Sequence, residues 1–323
     1  MATADQIKAL IKTHAEGDDA RFYAIAMQVA AQEARQGHGR LAQELTDAVD
    51  AAKERARTGG RRTPMVAISK EMGEVLAVGQ PRLHLADMVL PDEIRARLQR
   101  ILRENRQQAK LNAHALSPRR KVLLTGPPGS GKTMTAAVLA GELHLPLFTV
   151  RLEGLITKYL GETAAKLRLV FEAMVKARGV YFFDEFDSIG GQRALANDVG
   201  EARRILSSFL QLLEQDDSTG LIVAATNHVS LLDGALFRRF DDVLEYGIPG
   251  KDLVKRLITS RLAAFPTPDL DWDGVLLAAE GLSCAELAAA CDDAAKDMIL
   301  ADAALLETAD LARAMDERRT IRR

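Results

Sequence analysis

A glycine-rich segment between a predicted strand and a predicted helix is the strongest chemical signal in this sequence. Residues 126–133 read GPPGSGKT and have the spacing G-x-x-x-x-G-K-[ST]. Glycines at these places let backbone N–H groups close around phosphate oxygens, and the N-terminus of the following helix adds positive potential. In this pattern Lys132 reaches the outer phosphates and Thr133 offers its hydroxyl to Mg²⁺. The predicted phosphate-binding residues are Gly126, Pro127, Pro128, Gly129, Ser130, Gly131, Lys132, Thr133 and Met134.

Two acidic residues follow a second apolar strand, in the segment VYFFDEFD at residues 180–187. Asp184 is placed to hold Mg²⁺, directly or through water. Glu185 is placed to orient the attacking water or to accept its proton. An acidic turn after a strand is also a common structural feature. Because the sequence also has the phosphate loop, we favour the interpretation in which Asp184 and Thr133 bind the same metal ion.

Polar residues at two further places could act on a terminal phosphate. Asn227 ends the segment AATN, where its amide could orient the water or sense the γ-phosphate, although Asn is also a frequent turn residue. Arg238 and Arg239 lie in LFRRFDD, and guanidinium groups stabilise charge on a phosphoryl group in transfer. The alternative for these arginines is a surface salt bridge, for example between Arg239 and Asp241.

The elements that must position these residues alternate between strands and helices. Apolar strand segments are predicted at 121–124, 147–152, 179–184, 220–227 and 242–248, with helices between them. This alternation predicts an α/β fold with a parallel sheet covered on both faces. We predict four regions along the chain: a helical N-terminal domain at 1–56, a linker at 57–82, an α/β domain at 83–249 and a helical domain at 250–323.

Taken together, these motifs resemble the AAA clade of the AAA+ ATPase family, over residues 83–315. GPPGSGKT, FFDEFD, AATN and RRFD occur in the family's order, HLADMVLPDEIRARL resembles its opening segment, and GLSCAELAAACDDAA resembles its lid helix. The resemblance implies a P-loop NTPase sheet with a C-terminal helical lid, and hydrolysis of MgATP. It also implies a homo-oligomeric ring, usually a hexamer, in which Arg238 and Arg239 act on the neighbouring subunit's nucleotide. Cys284 stands where the family commonly has glycine.

The resemblance also implies a loop that lines the pore of the ring. Within ITKYLGET, residues 156–163, Tyr159, Leu160 and Gly161 match the family's aromatic–hydrophobic–glycine loop, which grips an extended polypeptide, and Lys158 adds a positive charge. The alternative for Tyr159 is that it packs against its own domain. The loop favours an ATPase that remodels, unfolds or threads protein substrates.

Composition limits the other functions. The net charge is −2 and aromatic residues make up 5% of the chain, so general attraction to nucleic acid is not expected. The remaining nucleic-acid hypothesis, a loader or switch, depends on one basic patch. That patch would combine Arg55, Arg57, Arg61 and Arg62 with Arg119, Arg120 and Lys121. No membrane-spanning run or signal peptide is visible, and we expect a cytoplasmic protein.

No protease motif accompanies the ATPase motifs. The six histidines lack HExxH spacing, and no GxSxG occurs. The layout is similar to the ATPase halves of bacterial pairs that join an AAA ATPase to a subtilisin-like protease. That similarity implies a partner protease, bound through the N-terminal domain. A plain stabilising cap is the alternative role for that domain.

Overall fold

The computed structural model describes residues 25–27, 29–30, 43, 46–47, 49, 70–151, 155, 160–186, 199–228, 237–267 and 270–321. The chain divides into two compact units, Met1–Met65 and Val66–Arg323. Every described residue of the first unit is helical, and three of them, Val29, Ala30 and Val49, are buried.

The second unit begins with an α/β region and ends with helices alone. Its strands are β1 (Leu76–Gly79), β2 (Lys121–Thr125), β3 (Leu147–Val150), β4 (Val180–Phe183), β5 (Leu221–Thr226) and β6 (Asp242–Glu245). Its helices are α1 (Lys70–Val75), α2 (Asp92–Arg106), α3 (Gln108–Asn112), α4 (Lys132–Leu143), α5 (Leu160–Lys176), α6 (Val199–Gln215), α7 (Lys251–Arg261), α8 (Trp272–Ala278), α9 (Cys284–Leu300) and α10 (Thr308–Ile321).

The six strands form one sheet in the order β1-β3-β4-β5-β2-β6. The five strands from β2 to β6 run parallel, which confirms the predicted α/β fold with a parallel sheet. β2 lies between β5 and β6, so the loop that follows it leaves from the interior of the sheet. The carboxyl ends of β2, β4 and β5 therefore meet at one edge, where the predicted site residues follow them.

The predicted linker at 57–82 is wrong at its C-terminal end. There the chain forms α1 and then β1, which pairs antiparallel with β3 so that Leu76 lies opposite Val150. β1 is only four residues long and lies at the edge of the sheet, and its last two residues are exposed. A run of four residues, LAVG, is too short to show the alternation that predicts a strand, and its pairing with β3 is what defines it as one.

The sheet separates two apolar cores. Alternate residues of a strand face opposite sides, so Tyr181 and Phe183 pack into one core while Val180 and Phe182 pack into the other. All residues of β4 and β5 are buried, as expected for central parallel strands covered by helices. Because β4 and β5 are packed on both faces, the positions of their carboxyl ends are fixed.

The helices after β6 form a third core of their own. Leu287, Ala290 and Cys291 of α9 are buried there together with residues of α7, α8 and α10. Helix α9 begins with a reciprocal cap, in which Glu286 N–H donates to Ser283 Oγ and Ser283 N–H donates to the Glu286 carboxylate. This cap fixes the start of α9, which faces the phosphate loop.

Candidate nucleotide site

The loop between β2 and α4 has the geometry of a phosphate-binding turn. Gly126, Gly129 and Gly131 all have positive φ. At Gly126 a Cβ would lie 2.1 Å from the carbonyl oxygen of Tyr246, so no other residue fits without movement. Lys132 is buried, and its Nζ donates to the carbonyl oxygens of Gly126 and Pro127 at 2.8 Å each. The ammonium group is thus held within the loop itself.

The structure brings the two candidate metal ligands together. Thr133 Oγ1 donates to Asp184 Oδ2 at 2.9 Å, although the two residues are far apart in the chain. The other carboxylate oxygen of Asp184 accepts the backbone N–H of Glu185, also at 2.9 Å. A hydroxyl and a carboxylate are oxygen ligands of the kind that Mg²⁺ prefers, so this donor set fits the ion.

Glu185 has an unusual backbone conformation. Its φ is 47°, in the left-handed region, where a residue with a Cβ is strained by about 1–3 kcal/mol. The buried strand β4 before it and the buried Phe186 after it hold this conformation in place. The turn presents Glu185 to the same space as Asp184.

A cleft of about 760 Å³ is lined by most of the predicted residues. They are residues 128–134 of the phosphate loop, Asp184, Glu185 and Asn227. The segment 87–90 also lines the cleft. This volume is within the range of small-molecule sites.

The helical lid also lines the cleft and contacts the phosphate loop directly. Ala285 N–H donates to the Gly129 carbonyl oxygen at 3.0 Å, and a Cβ on Gly129 would lie 2.6 Å from Ser283 Oγ. Cys284 also lines the cleft, and burial raises the pKa of its thiol. The lid thus accommodates Cys284 at the position where the family commonly has glycine.

An ion pair in the lid also lines the cleft, and sequence reasoning missed it. Arg261 of α7 makes two hydrogen bonds to Asp292 of α9, at 2.7 and 2.6 Å. The hydrogen bond from Arg261 holds the pKa of Asp292 below its ordinary value. Asp292 lies in the segment that resembles the lid helix, but nothing in the sequence marks Arg261 as its partner, and only the packing of α7 on α9 brings the two together.

Arg238 and Arg239 are not among the residues that line this cleft. Arg238 is exposed, and Arg239 Nε lies 2.7 Å from Glu214 Oε1 at the end of α6. The alternative pairing of Arg239 with Asp241 is wrong, because Asp241 Oδ2 accepts the backbone N–H groups of Arg120 and Lys121 instead. The Arg239 guanidinium thus lies beside Glu214 and not in the cleft.

The predicted pore residues are largely beyond what the structure describes. Lys158 and Tyr159 lie outside the described residues. Leu160 is the first residue of α5, and only its helical backbone is described. The pore loop therefore stays a prediction.

The predicted basic patch does not form at residues 119–121. Arg119 pairs with Glu104, Arg120 pairs with the buried Asp216, and Lys121 Nζ donates to the Leu213 carbonyl oxygen at 2.5 Å. Carboxylates thus neutralise Arg119 and Arg120, and the Lys121 ammonium group is engaged by a backbone carbonyl. The four arginines at 55, 57, 61 and 62 lie outside the described residues.

Comparison with known proteins agrees with this geometry. The family model "ATPase family associated with various cellular activities (AAA)" matches residues 122–248. The chain is 33% identical over 318 residues to the AAA family ATPase y4kL of Sinorhizobium fredii, which covers 98% of this chain and 96% of that protein. It is also 30% identical over 261 residues to ATP-dependent zinc metalloprotease FtsH 4 of Sphaerobacter thermophilus, covering 78% of this chain but only 39% of the relative.

A solved structure, the crystal structure of the FIGL-1 AAA domain, has the same fold. It aligns with a TM-score of 0.59 at 24% identity and covers 75% of this chain and 85% of that one. Among the helices that the structure describes, none is long and apolar enough to cross a membrane. The family model over the sheet and the match along nearly the whole of y4kL show that this chain belongs to the AAA family of ATPases.

Proposed function

We propose that this ATPase hydrolyses MgATP within a ring of identical subunits, a hexamer, and uses the energy to remodel, unfold or thread proteins. The observation that carries the ATP site is the contact between Thr133 and Asp184 at the floor of a cleft that Glu185 and Asn227 also line. A metal-binding pair, a candidate base and a polar amide thus face one space beside the phosphate loop. That is the set of groups that hydrolysis of a γ-phosphate requires.

Each residue has a distinct role in this proposal. The loop residues 126–134 bind the phosphates through backbone N–H groups, and Lys132 neutralises their charge. Thr133 and Asp184 would hold Mg²⁺, which supplies charge neutralisation on the phosphate oxygens. Glu185 orients the attacking water and accepts its proton, while Asn227 contacts the γ-phosphate or that water.

Lys132→Ala is expected to weaken ATP binding about 10- to 100-fold, as loss of a charge-assisted hydrogen bond predicts. The side chain is buried within the loop and bonded to two loop carbonyl oxygens. Equilibrium titration with a fluorescent ATP analogue measures the change. Lys251→Ala, at the exposed start of α7, is the matched control and should bind like the unaltered protein. Unchanged affinity in Lys132→Ala would contradict the proposed phosphate site.

The position of the arginines supports a ring. Arg238 and Arg239 do not line their own cleft, yet two guanidinium groups next to each other suit a phosphoryl group in transfer. We therefore assign them to the ATP of the adjacent subunit. In this arrangement an isolated subunit binds ATP but hydrolyses it poorly.

The predicted pore loop supports a protein substrate. Lys158 and Tyr159 directly precede α5, and Leu160 is its first residue. An aromatic ring on such a loop can insert between side chains of an extended chain without reading its sequence.

The relative named ATP-dependent zinc metalloprotease FtsH 4 joins an ATPase to proteolysis, which supports a partner protease here. We assign its docking to the N-terminal unit, and we place the ring in the cytoplasm.

Tyr159→Ala tests the remodelling function. We expect ATP hydrolysis without substrate to change less than about twofold, because the residue precedes α5 and is not part of the phosphate loop. Unfolding of a tagged fluorescent protein should fall at least tenfold, since the loop loses its grip. Full unfolding activity in Tyr159→Ala would contradict threading. Stimulation of ATP hydrolysis by DNA but not by unfolded protein would instead favour the nucleic-acid function.

A further inference from the structure

Two buried hydroxyl groups lie directly beneath the phosphate loop. Tyr246 Oη is 2.6 Å from Thr135 Oγ1, and both side chains are buried. Thr135 Oγ1 donates its single proton to the Gly131 carbonyl oxygen at 3.0 Å. With the Thr135 proton on Gly131, we assign Tyr246 as the donor to Thr135 Oγ1, which gives a chain running from Tyr246 through Thr135 to Gly131. Burial raises the pKa of Tyr246 to about 12, so the phenol keeps the proton that it donates.

The end of this chain fixes a peptide group that faces the cleft. The Gly131 carbonyl oxygen also accepts Thr135 N–H at 2.9 Å, so it is held toward the interior of α4. Across a planar trans peptide the carbonyl and the following N–H point in opposite directions. Holding the Gly131 carbonyl inward therefore directs the N–H of Lys132 outward, where both residues line the cleft.

The backbone of Tyr246 supports the other end of the same loop. Tyr246 N–H donates to the Thr125 carbonyl oxygen at 2.7 Å. Its own carbonyl oxygen occupies the place that a side chain on Gly126 would need. Tyr246, located between β6 and α7, thus contacts the first residue of the loop, Gly126, through its backbone, and it reaches the sixth, Gly131, only through Thr135.

We propose that Tyr246 is a positioning residue that, through Thr135, holds the phosphate loop in the shape that binds ATP. The proposal deepens the proposed ATP site and rests on it. Tyr246 does not line the cleft, so we expect its effect to appear in the affinity for ATP. Loss of its hydroxyl leaves Thr135 free to turn away from the Gly131 carbonyl, so that only the Thr135 N–H still orients this peptide. Binding of the phosphates weakens as a result, and the chemical step changes little.

The test uses variants that remove only these hydroxyl groups from the full chain. Tyr246→Phe and Thr135→Val are each expected to raise the Kd for ATP and the KM about three- to tenfold, the contribution of one hydrogen bond. The kcat should stay within about twofold. Thr135→Ser keeps the hydroxyl and should restore the original KM. The double variant should be no worse than the more affected single one, because both changes break the same chain.

Tyr181→Phe is the matched control, since it also removes a buried tyrosine hydroxyl. Tyr181 Oη donates to the Ala173 and Ala177 carbonyl oxygens, at 3.2 and 2.9 Å, away from the cleft. It should lower thermal stability as Tyr246→Phe does and leave the KM unchanged. An equal KM in Tyr246→Phe and Tyr181→Phe would overturn the proposal. If the unaltered protein binds no ATP in the same titration, the proposed ATP site itself fails, which is a separate outcome.

Discussion

Replacing both Arg238 and Arg239 with alanine is expected to leave ATP binding nearly unchanged while turnover falls about 10³- to 10⁵-fold. A guanidinium that meets the γ-phosphate mainly as charge develops in the transition state lowers the barrier and contributes little to binding of the ground state. Neither arginine lines the cleft of its own subunit, so its removal leaves that cleft intact. Titration with an ATP analogue measures the binding, and release of inorganic phosphate measures the turnover.

One control separates the arginines from the packing around them. Arg239 lies against Glu214, so its removal also breaks that contact. Glu214→Gln disturbs the same contact but keeps the guanidinium group, and its turnover should stay within about threefold of the original, as for an exposed ion pair. A loss in Glu214→Gln as large as in the double variant would show that the contact, and not the arginine, matters.

Mixing two inactive proteins tests whether the arginines act between subunits. Lys132→Ala subunits have intact arginines but a damaged phosphate loop, and the double arginine variant has the reverse. In a mixed ring some intact phosphate loops face intact arginines, so turnover should rise well above that of either protein alone. Mixing without any recovery would place the arginines in the site of their own subunit. Normal turnover in the double variant would refute a role for them in either place.

The phosphate loop could be predicted from the sequence because its functional residues are consecutive in the chain. All residues of the segment 126–133 lie within eight positions, and the flanking strand and helix follow from short apolar patterns. Asp184 and Glu185 were also recognisable, because an apolar strand ends directly before them. The meeting of Thr133 with Asp184 then follows from parallel strands that end at the same edge of the sheet.

Contacts that depend on the packing of distant strands and helices could not be predicted from the sequence. Tyr246 and Thr135 are 111 positions apart, and neither position has a local signal that marks the other as its partner. Arg261 and Asp292 are 31 positions apart and meet only because α7 packs on α9. Strand β1 was missed for a similar reason, since its pairing with β3 depends on a distant segment. In each case the packing of the sheet or of the lid determines which residue is the partner.

Nearest-neighbour reasoning about charges failed in the same way. Arg239 has Asp241 two positions away, but Asp241 accepts backbone N–H groups at the start of β2. The basic run 119–121 seemed free in the sequence, yet each cation has an anionic or carbonyl partner. Sequence proximity says little about ion pairs, because backbone donors and distant carboxylates compete for the same charges.

Glu185→Gln is expected to bind ATP with nearly the original affinity and to hydrolyse it about 10²- to 10⁴-fold more slowly. Glutamine has almost the same shape but cannot accept a proton from water at neutral pH. The backbone N–H of this residue would still donate to Asp184, so the metal-binding carboxylate keeps its orientation. Phosphate release under saturating MgATP measures the rate, and analogue titration measures the affinity.

The left-handed backbone of Glu185 supplies a control for this substitution. Glu185→Gly relieves the strain at φ 47° and also removes the carboxylate, so it should unfold at a higher temperature yet hydrolyse ATP as slowly as Glu185→Gln. If the strain rather than the carboxylate mattered, the two variants would differ in rate.

Because Glu185→Gln stalls with ATP bound, its rings should also retain the protein that they engage, and bound chains can be identified after isolation. Turnover in Glu185→Gln equal to that of the unaltered protein would remove Glu185 from the chemistry, and the base would then have to be sought among the other groups that line the cleft.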